Sequence, residues 1–221
     1  MNIYLESVNL DEIRKAASAG LADGVAFSQA AFNSGAPQAD SNEHLEEICR
    51  EFAFPVCVSV GAVSSPDIYS EARDLAKISD HIVVQIPLVE DALIPISRLS
   101  AEGIVVCATF VFSAAQALIA AKAGASMVRV TLADLEEYGQ SGPQTLAEIK
   151  NVLDASVQEC DVMASSPGTA VQFAECSTAG ADIICVTPET LRGLIVHPLS
   201  DRAVDRFLNN LSRHPRGRSS T

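Results

Sequence analysis

Lysine is scarce in this chain: of 221 residues, only Lys15, Lys77, Lys122 and Lys150 are lysines, and the remaining cations are arginines. Tryptophan is absent and aromatics make up 5%. Positive charge is short overall, since 28 acids against 15 bases leave a formal charge of −13. Long-range electrostatics therefore give no help in approaching nucleic acid or an anionic membrane, and neither is expected as a partner. No apolar run reaches the ~18 residues of a membrane span. The opening MNIYLESVNLDE lacks the basic start and apolar core of a secretory signal. The six cysteines form no CxxC pair and have no histidine at zinc spacing. Several lie in apolar runs (PVCVSV, IVVCATF, ADIICVT), where Cys acts as a small core residue. The expectation is a reduced, cytoplasmic protein without disulfides, metal or cofactor. GxGxxG after the first strand and GxxxxGK[ST] anywhere are missing too, which removes the two commonest nucleotide-binding signatures.

What is present is a rhythm. With 48% apolar and 19% charged residues, the chain is globular rather than disordered. Short apolar runs recur at Ile3–Leu5, Val25–Phe27, Val56–Val60, Ile82–Ile86, Ile104–Thr109, Met127–Leu132, Val162–Ala164 and Ile183–Val186. Most are β-branched and nearly continuous, as expected of parallel strands covered on both faces. Helical patterns fill the intervals, at roughly 10–19, 42–53, 66–78, 90–101, 113–123, 143–157, 168–179 and 188–195, with a last one over 199–212. SAEGIVVC, AKAGASMV and STAGADII repeat one helix–glycine–strand joint. Strands alternating with helices at this density predict an α/β fold, a single (β/α)8 barrel over residues 1–198, followed by a C-terminal helix and basic tail over 199–221. A doubly wound open sheet is the competing architecture.

Four longer segments are distinctive: NIYLES, LSAEGIVVCATFVFSAAQALIAAKAGAS, YGQSGPQTLAEIKNVL and VMASSPGTAVQFAECSTAGADIICVTPETLRGLIVHPLSDRAVDRF. In these the chain resembles the small transaldolases, the fructose-6-phosphate aldolase group. The resemblance implies a barrel with its site at the C-terminal strand ends, aldol chemistry in carbohydrate metabolism, and a Schiff-base lysine on strand four in a V-K-[VI]-P motif. This chain reads Val83-Val84-Gln85-Ile86-Pro87 there, so Gln85 stands at the lysine position. A carboxamide nitrogen is not nucleophilic and forms no imine. The four lysines all fall in helical patterns, away from strand C-terminal ends. Other positions that the resemblance marks also differ. Glu6 replaces an Asp and Ser59 a Gln; Thr131 replaces a Tyr, Asp134 a phosphate-binding Arg, and Gly168 a basic residue. Ala26-Phe27-Ser28-Gln29 stands for a Thr-Thr-Asn-Pro turn. Thr109 and Ser166 remain.

Strand alternation puts Glu6, Ser59, Gln85, Thr109, Arg129 and Thr131 in the lumen. An arginine inside a barrel strand needs a partner, and Glu6 is the natural one. Glu6, Gln85, Thr109 and Arg129 are the candidate catalytic residues; Ser28, Ser59, Thr131, Ser165 and Ser166 are the candidate binding residues. One reading is an Arg–Glu pair that takes a small carboxylate or polyol, with Glu6 as acid/base and Gln85 and Arg129 polarising a carbonyl. The other is a structural ion pair filling a site that no longer works, in a barrel that binds a metabolite or serves as an assembly partner. Ser165-Ser166 with Gly168 is expected to open a helix, and Asp134, Glu136 and Glu137 to form a solvated acidic loop. His44, His81 and His197 are expected to be structural or surface residues. Arg202, Arg206, Arg213, Arg216 and Arg218 make the tail basic. The resemblance implies that this tail packs on a neighbouring subunit of a homo-oligomer, a pentamer or decamer.

Overall fold

The computed structural model describes residues 1–27, 41–156 and 159–213. Eight parallel strands close into a barrel in sequence order. They are β1 Asn2–Leu5, β2 Gly24–Phe27, β3 Val56–Ser59, β4 Ile82–Pro87, β5 Val106–Thr109, β6 Met127–Thr131, β7 Asp161–Ser165 and β8 Ile183–Val186. Closure comes from β1 against β8, with Asn2 opposite Ile183 and Leu5 opposite Val186. The helices are α1 Leu10–Ser18, α2 Ser41–Glu51, α3 Ser65–Ala76, α4 Leu93–Ala101, α5 Ala114–Lys122, α6 Leu132–Glu137, α7 Gly142–Ala155, α8 Ala170–Thr178, α9 Pro188–Gly193 and α10 Pro198–Arg213. The open-sheet alternative is therefore excluded.

The period of two sorts the strand residues into two cores. Leu5, Val25, Phe27, Val84, Ile86, Val106, Val128, Val130 and Ile184 pack outward against the helices. Tyr4, Ala26, Cys57, Val83, Cys107, Met127, Met163, Ile183 and Cys185 fill the lumen. Each large apolar side chain so buried contributes about 1.5–3 kcal/mol. One close approach fixes a glycine: a Cβ at Gly24 would lie 2.6 Å from the Tyr4 ring, so β2 passes that ring only without a side chain.

Several boundaries differ from the sequence expectation. Strand β5 starts at Val106, because Ile104 and Val105 still belong to the joint after Gly103, and Val105 is exposed. Strand β6 ends at Thr131, and Leu132 opens a helix. The expected acidic loop is that helix, α6, anchored by buried Leu132 and Leu135 with Asp134, Glu136 and Glu137 on it. Ser165 ends β7 rather than opening a helix; the cap of α8 is Thr169, whose hydroxyl accepts from Gln172 N at 3.1 Å.

Candidate functional site

In the lumen, polar side chains sit directly above the apolar layer. Gln85 on β4 shares the inward parity of Val83 and is fully buried. Both ends of its carboxamide are used: Nε2 donates to the Phe27 carbonyl at 3.1 Å, and Oε1 accepts from Arg129 Nη1 at 2.9 Å. Arg129 on β6 reaches across the barrel, where Nη2 donates to Glu6 Oε1 at 3.3 Å. Burial works to lower the Arg129 pKa, but the acidic groups around it (Cys185, Glu6, Cys107, Cys57) outweigh burial, and the net direction is upward. Of these, Glu6 is the charge that counts. Burial pushes the Cys107 and Cys185 thiols up to about 12 and Cys57 well above its ordinary value. At neutral pH all three are neutral thiols, and none is a ready nucleophile.

Thr109 and Ser165 end the strands on either side of β6, both buried. Among the described residues the Ser165 hydroxyl has no hydrogen-bond partner. Thr131 pairs in register with Ser165, and Ser59 with Gln85; Thr131 and Ser59 are both half-buried, at the upper edge of the lumen. Ser28 lies outside the described residues. Among the described residues no cluster of three His, Cys, Asp or Glu side chains could hold a metal. His44 Nε2 lies 2.7 Å from the Val8 carbonyl, and His197 Nδ1 accepts from Leu199 N, so both are tied locally.

Sequence reading missed a pair of matching turns. After Thr109, Phe110 takes φ +58°; after Ser165, Ser166 takes φ +61°. Two residues further on, Phe112 N and Gly168 N donate to Gln116 Oε1 and Gln172 Oε1, at 2.9 and 2.7 Å. The next residues, Ser113 and Thr169, cap α5 and α8. Each turn thus presents an inward hydroxyl, then a left-handed residue, then a variant of the capping box in which glutamine reaches one residue before the cap. The signal was present in Ser113-Ala-Ala-Gln116 and Thr169-Ala-Val-Gln172. A left-handed phenylalanine, half exposed, had no signal at all.

No lysine reaches this region. Lys15 lies on α1, Lys77 follows α3 and pairs with Asp74 at 2.7 Å, Lys122 ends α5, and Lys150 on α7 holds Asp182 at 2.9 Å beside the start of β8. Asp134 lines a small groove of about 210 Å³ with Phe112, Leu135, Tyr138 and Gln140, and none of these described lining residues is a cation.

The family model for transaldolase/fructose-6-phosphate aldolase matches residues 3–216. The chain belongs to this family. A probable transaldolase of Kosmotoga olearia is 33% identical over 217 residues, spanning 98% of this chain and 99% of that protein. One from Bartonella tribocorum is 37% identical over 211 residues, covering 95% and 96%. Among solved structures, a cube-shaped, porous cage designed by fusing symmetric oligomeric domains matches at TM-score 0.62 and 16% identity, over 96% of this chain and 76% of that one. That likeness concerns the fold alone. This transaldolase-like barrel carries a glutamine–arginine–glutamate chain in its lumen, where the resemblance leads one to expect an amine.

Proposed function

We propose that this family member handles a small, polar, sugar-like metabolite without forming an imine. The observation that carries the reading is Gln85: it stands where the resemblance places the lysine, fully buried, with both ends of its amide already bonded. An amide lone pair is delocalised and cannot attack a carbonyl. The side chains that remain suit polarisation and proton transfer. Arg129 offers N–H donors to a carbonyl oxygen while Gln85 holds it from below, and Glu6, a quarter exposed, is the carboxylate placed to act as acid/base. The chemistry that fits is proton transfer beside a carbonyl, or binding alone. Borohydride reduction in the presence of dihydroxyacetone or fructose 6-phosphate tests this. Intact-mass spectrometry is expected to show the unmodified chain, and an adduct on any lysine overturns the proposal.

The same reading makes the protein a homo-oligomer, a pentamer or decamer, assembled through α10. Val204, Phe207, Leu208 and Leu211 support it: they share one helical face and are all exposed. A reducing, cytoplasmic setting is part of the proposal, and the six cysteines, all free and buried, support it.

A further inference from the structure

Arg129 is only partly occupied by the protein's own acceptors. A guanidinium carries five N–H donors in a rigid fork whose strongest match is a carboxylate bound through both oxygens. Among the described residues two donors are used, one by Gln85 at 2.9 Å and one by Glu6 at 3.3 Å. The Gln85 contact is firm. The Glu6 contact uses one oxygen and is long for a charge-assisted hydrogen bond. Glu6 itself keeps 25% of its side-chain exposure and Arg129 keeps 11%. The lower lumen is closed by Tyr4, Met127 and Met163, so solvent meets Arg129 from the strand C-terminal side.

The surroundings are built for an oxygen-rich group. The twin turns follow Thr109 and Ser165, which end the strands flanking β6, and the Ser165 hydroxyl is buried without a partner among the described residues. A buried polar atom left unpaired is rare enough to need a reason. Among the described lumen side chains Arg129 is the only cation, because Cys57, Cys107 and Cys185 are neutral and no lysine enters. A phosphate dianion beside Glu6 would place three negative charges against one positive. A monocarboxylate places two against one, and Glu6 has solvent to turn toward.

The geometry points to a small monocarboxylate, a hydroxy or oxo acid of a few carbons, as the ligand of this barrel. Its carboxylate straddles the unused edge of Arg129 and displaces the single-oxygen contact of Glu6. Its hydroxyl or oxo oxygen lies toward Thr109, Thr131 and Ser165, the hydroxyls on β6 and its two neighbours. This rests on the proposal that the barrel works without an imine, and names the ligand class for it.

Calorimetric titration of the full-length protein decides the matter, with pyruvate and lactate as carboxylates, propane-1,2-diol and dihydroxyacetone as neutral counterparts, and inorganic phosphate as the competing anion. The carboxylates are expected to bind at least about tenfold tighter than the neutral probes and than phosphate, and Arg129→Met is expected to remove that preference. Glu6→Gln keeps an amide beside Arg129 while removing the competing charge, so it should strengthen carboxylate binding by about tenfold. That variant keeps the question decidable if Arg129→Met fails to fold. Carboxylates binding no tighter than the neutral probes, or weakened by Glu6→Gln, overturn the assignment. Those outcomes leave the imine-free reading standing; a borohydride-trapped lysine overturns that reading instead.

Discussion

A guanidinium inside a barrel strand forfeits several kcal/mol of hydration, and only good partners offset that cost. Arg129 meets this with Gln85 below and Glu6 above, so Gln85 has a structural role in addition to lacking an amine. Placing a lysine at position 85 has a direct cost. In Gln85→Lys, an ammonium replaces an amide oxygen that now lies 2.9 Å from Arg129 Nη1, and two buried cations face each other. The guanidinium favours the neutral amine, so the folded-state lysine pKa falls below its unfolded value. The unfolded chain then binds the extra proton, and stability of the variant rises with pH up to the ordinary lysine range. Adding Arg129→Ala removes the repulsion. Urea melts of the single and double variants are expected to show a favourable coupling of about 1–3 kcal/mol between the two substitutions, with the double variant more stable than Gln85→Lys at pH 7. A double variant no more stable than the single one would show that residues 85 and 129 do not sense each other.

The βα turns make the corresponding argument for elements. Phe110 and Ser166 occupy the left-handed region, where a residue with a Cβ is disfavoured by roughly 1–2 kcal/mol. The capping glutamines hold both turns in this shape. Phe110→Gly should therefore raise stability by up to about 1 kcal/mol, since the ring is half exposed and little packing is lost. Thermal melts would detect this as an upward shift, and a drop of similar size would mean that the ring packs on something essential. These turns also mark how far the sequence could be read. Barrel, strand order and lumen parity were all legible, because period two and period 3.6 are properties of composition along the chain. Glu6 was legible as the natural partner of Arg129, since a buried cation has few to choose from, but whether the two close on each other or leave a pocket was not; the structure places them 3.3 Å apart. Besides the left-handed turns themselves, two things were hidden. The short helix α6 was masked by its acids, although Leu132 and Leu135 at spacing three gave it away in principle. The inward, unpartnered Ser165 was mistaken for a helix opener, because Thr169 and Gln172 capture the cap four residues later and nothing local says which hydroxyl wins.

At the scale of the whole molecule, α10 stands out among the described elements by its exposure. Its 16 residues run from Pro198 to Arg213, and every described side chain from Ile195 to Leu211 is exposed. A lone helix of this length is marginal in water, and its stability must come from burying an apolar face. Val204, Phe207, Leu208 and Leu211 recur at spacings of three, one and three, which places them on one stripe. Buried completely, they would supply several kcal/mol at about 1.5–3 kcal/mol each. Charge adds little to this, since Arg202 and Arg206 on the helix stand beside Asp201 and Asp205, and the apolar stripe carries the argument. If a second copy covers the stripe, the melting temperature of the full chain should rise with protein concentration, as binding to the folded state alone requires. Native mass spectrometry should show a closed homo-oligomer. The Phe207→Glu/Leu208→Glu variant should then run as a monomer with far-UV circular dichroism close to the parent, because neither side chain belongs to either barrel core. A parent chain that is monomeric at micromolar concentration, or a double-glutamate variant that still assembles, would remove α10 as the assembly arm.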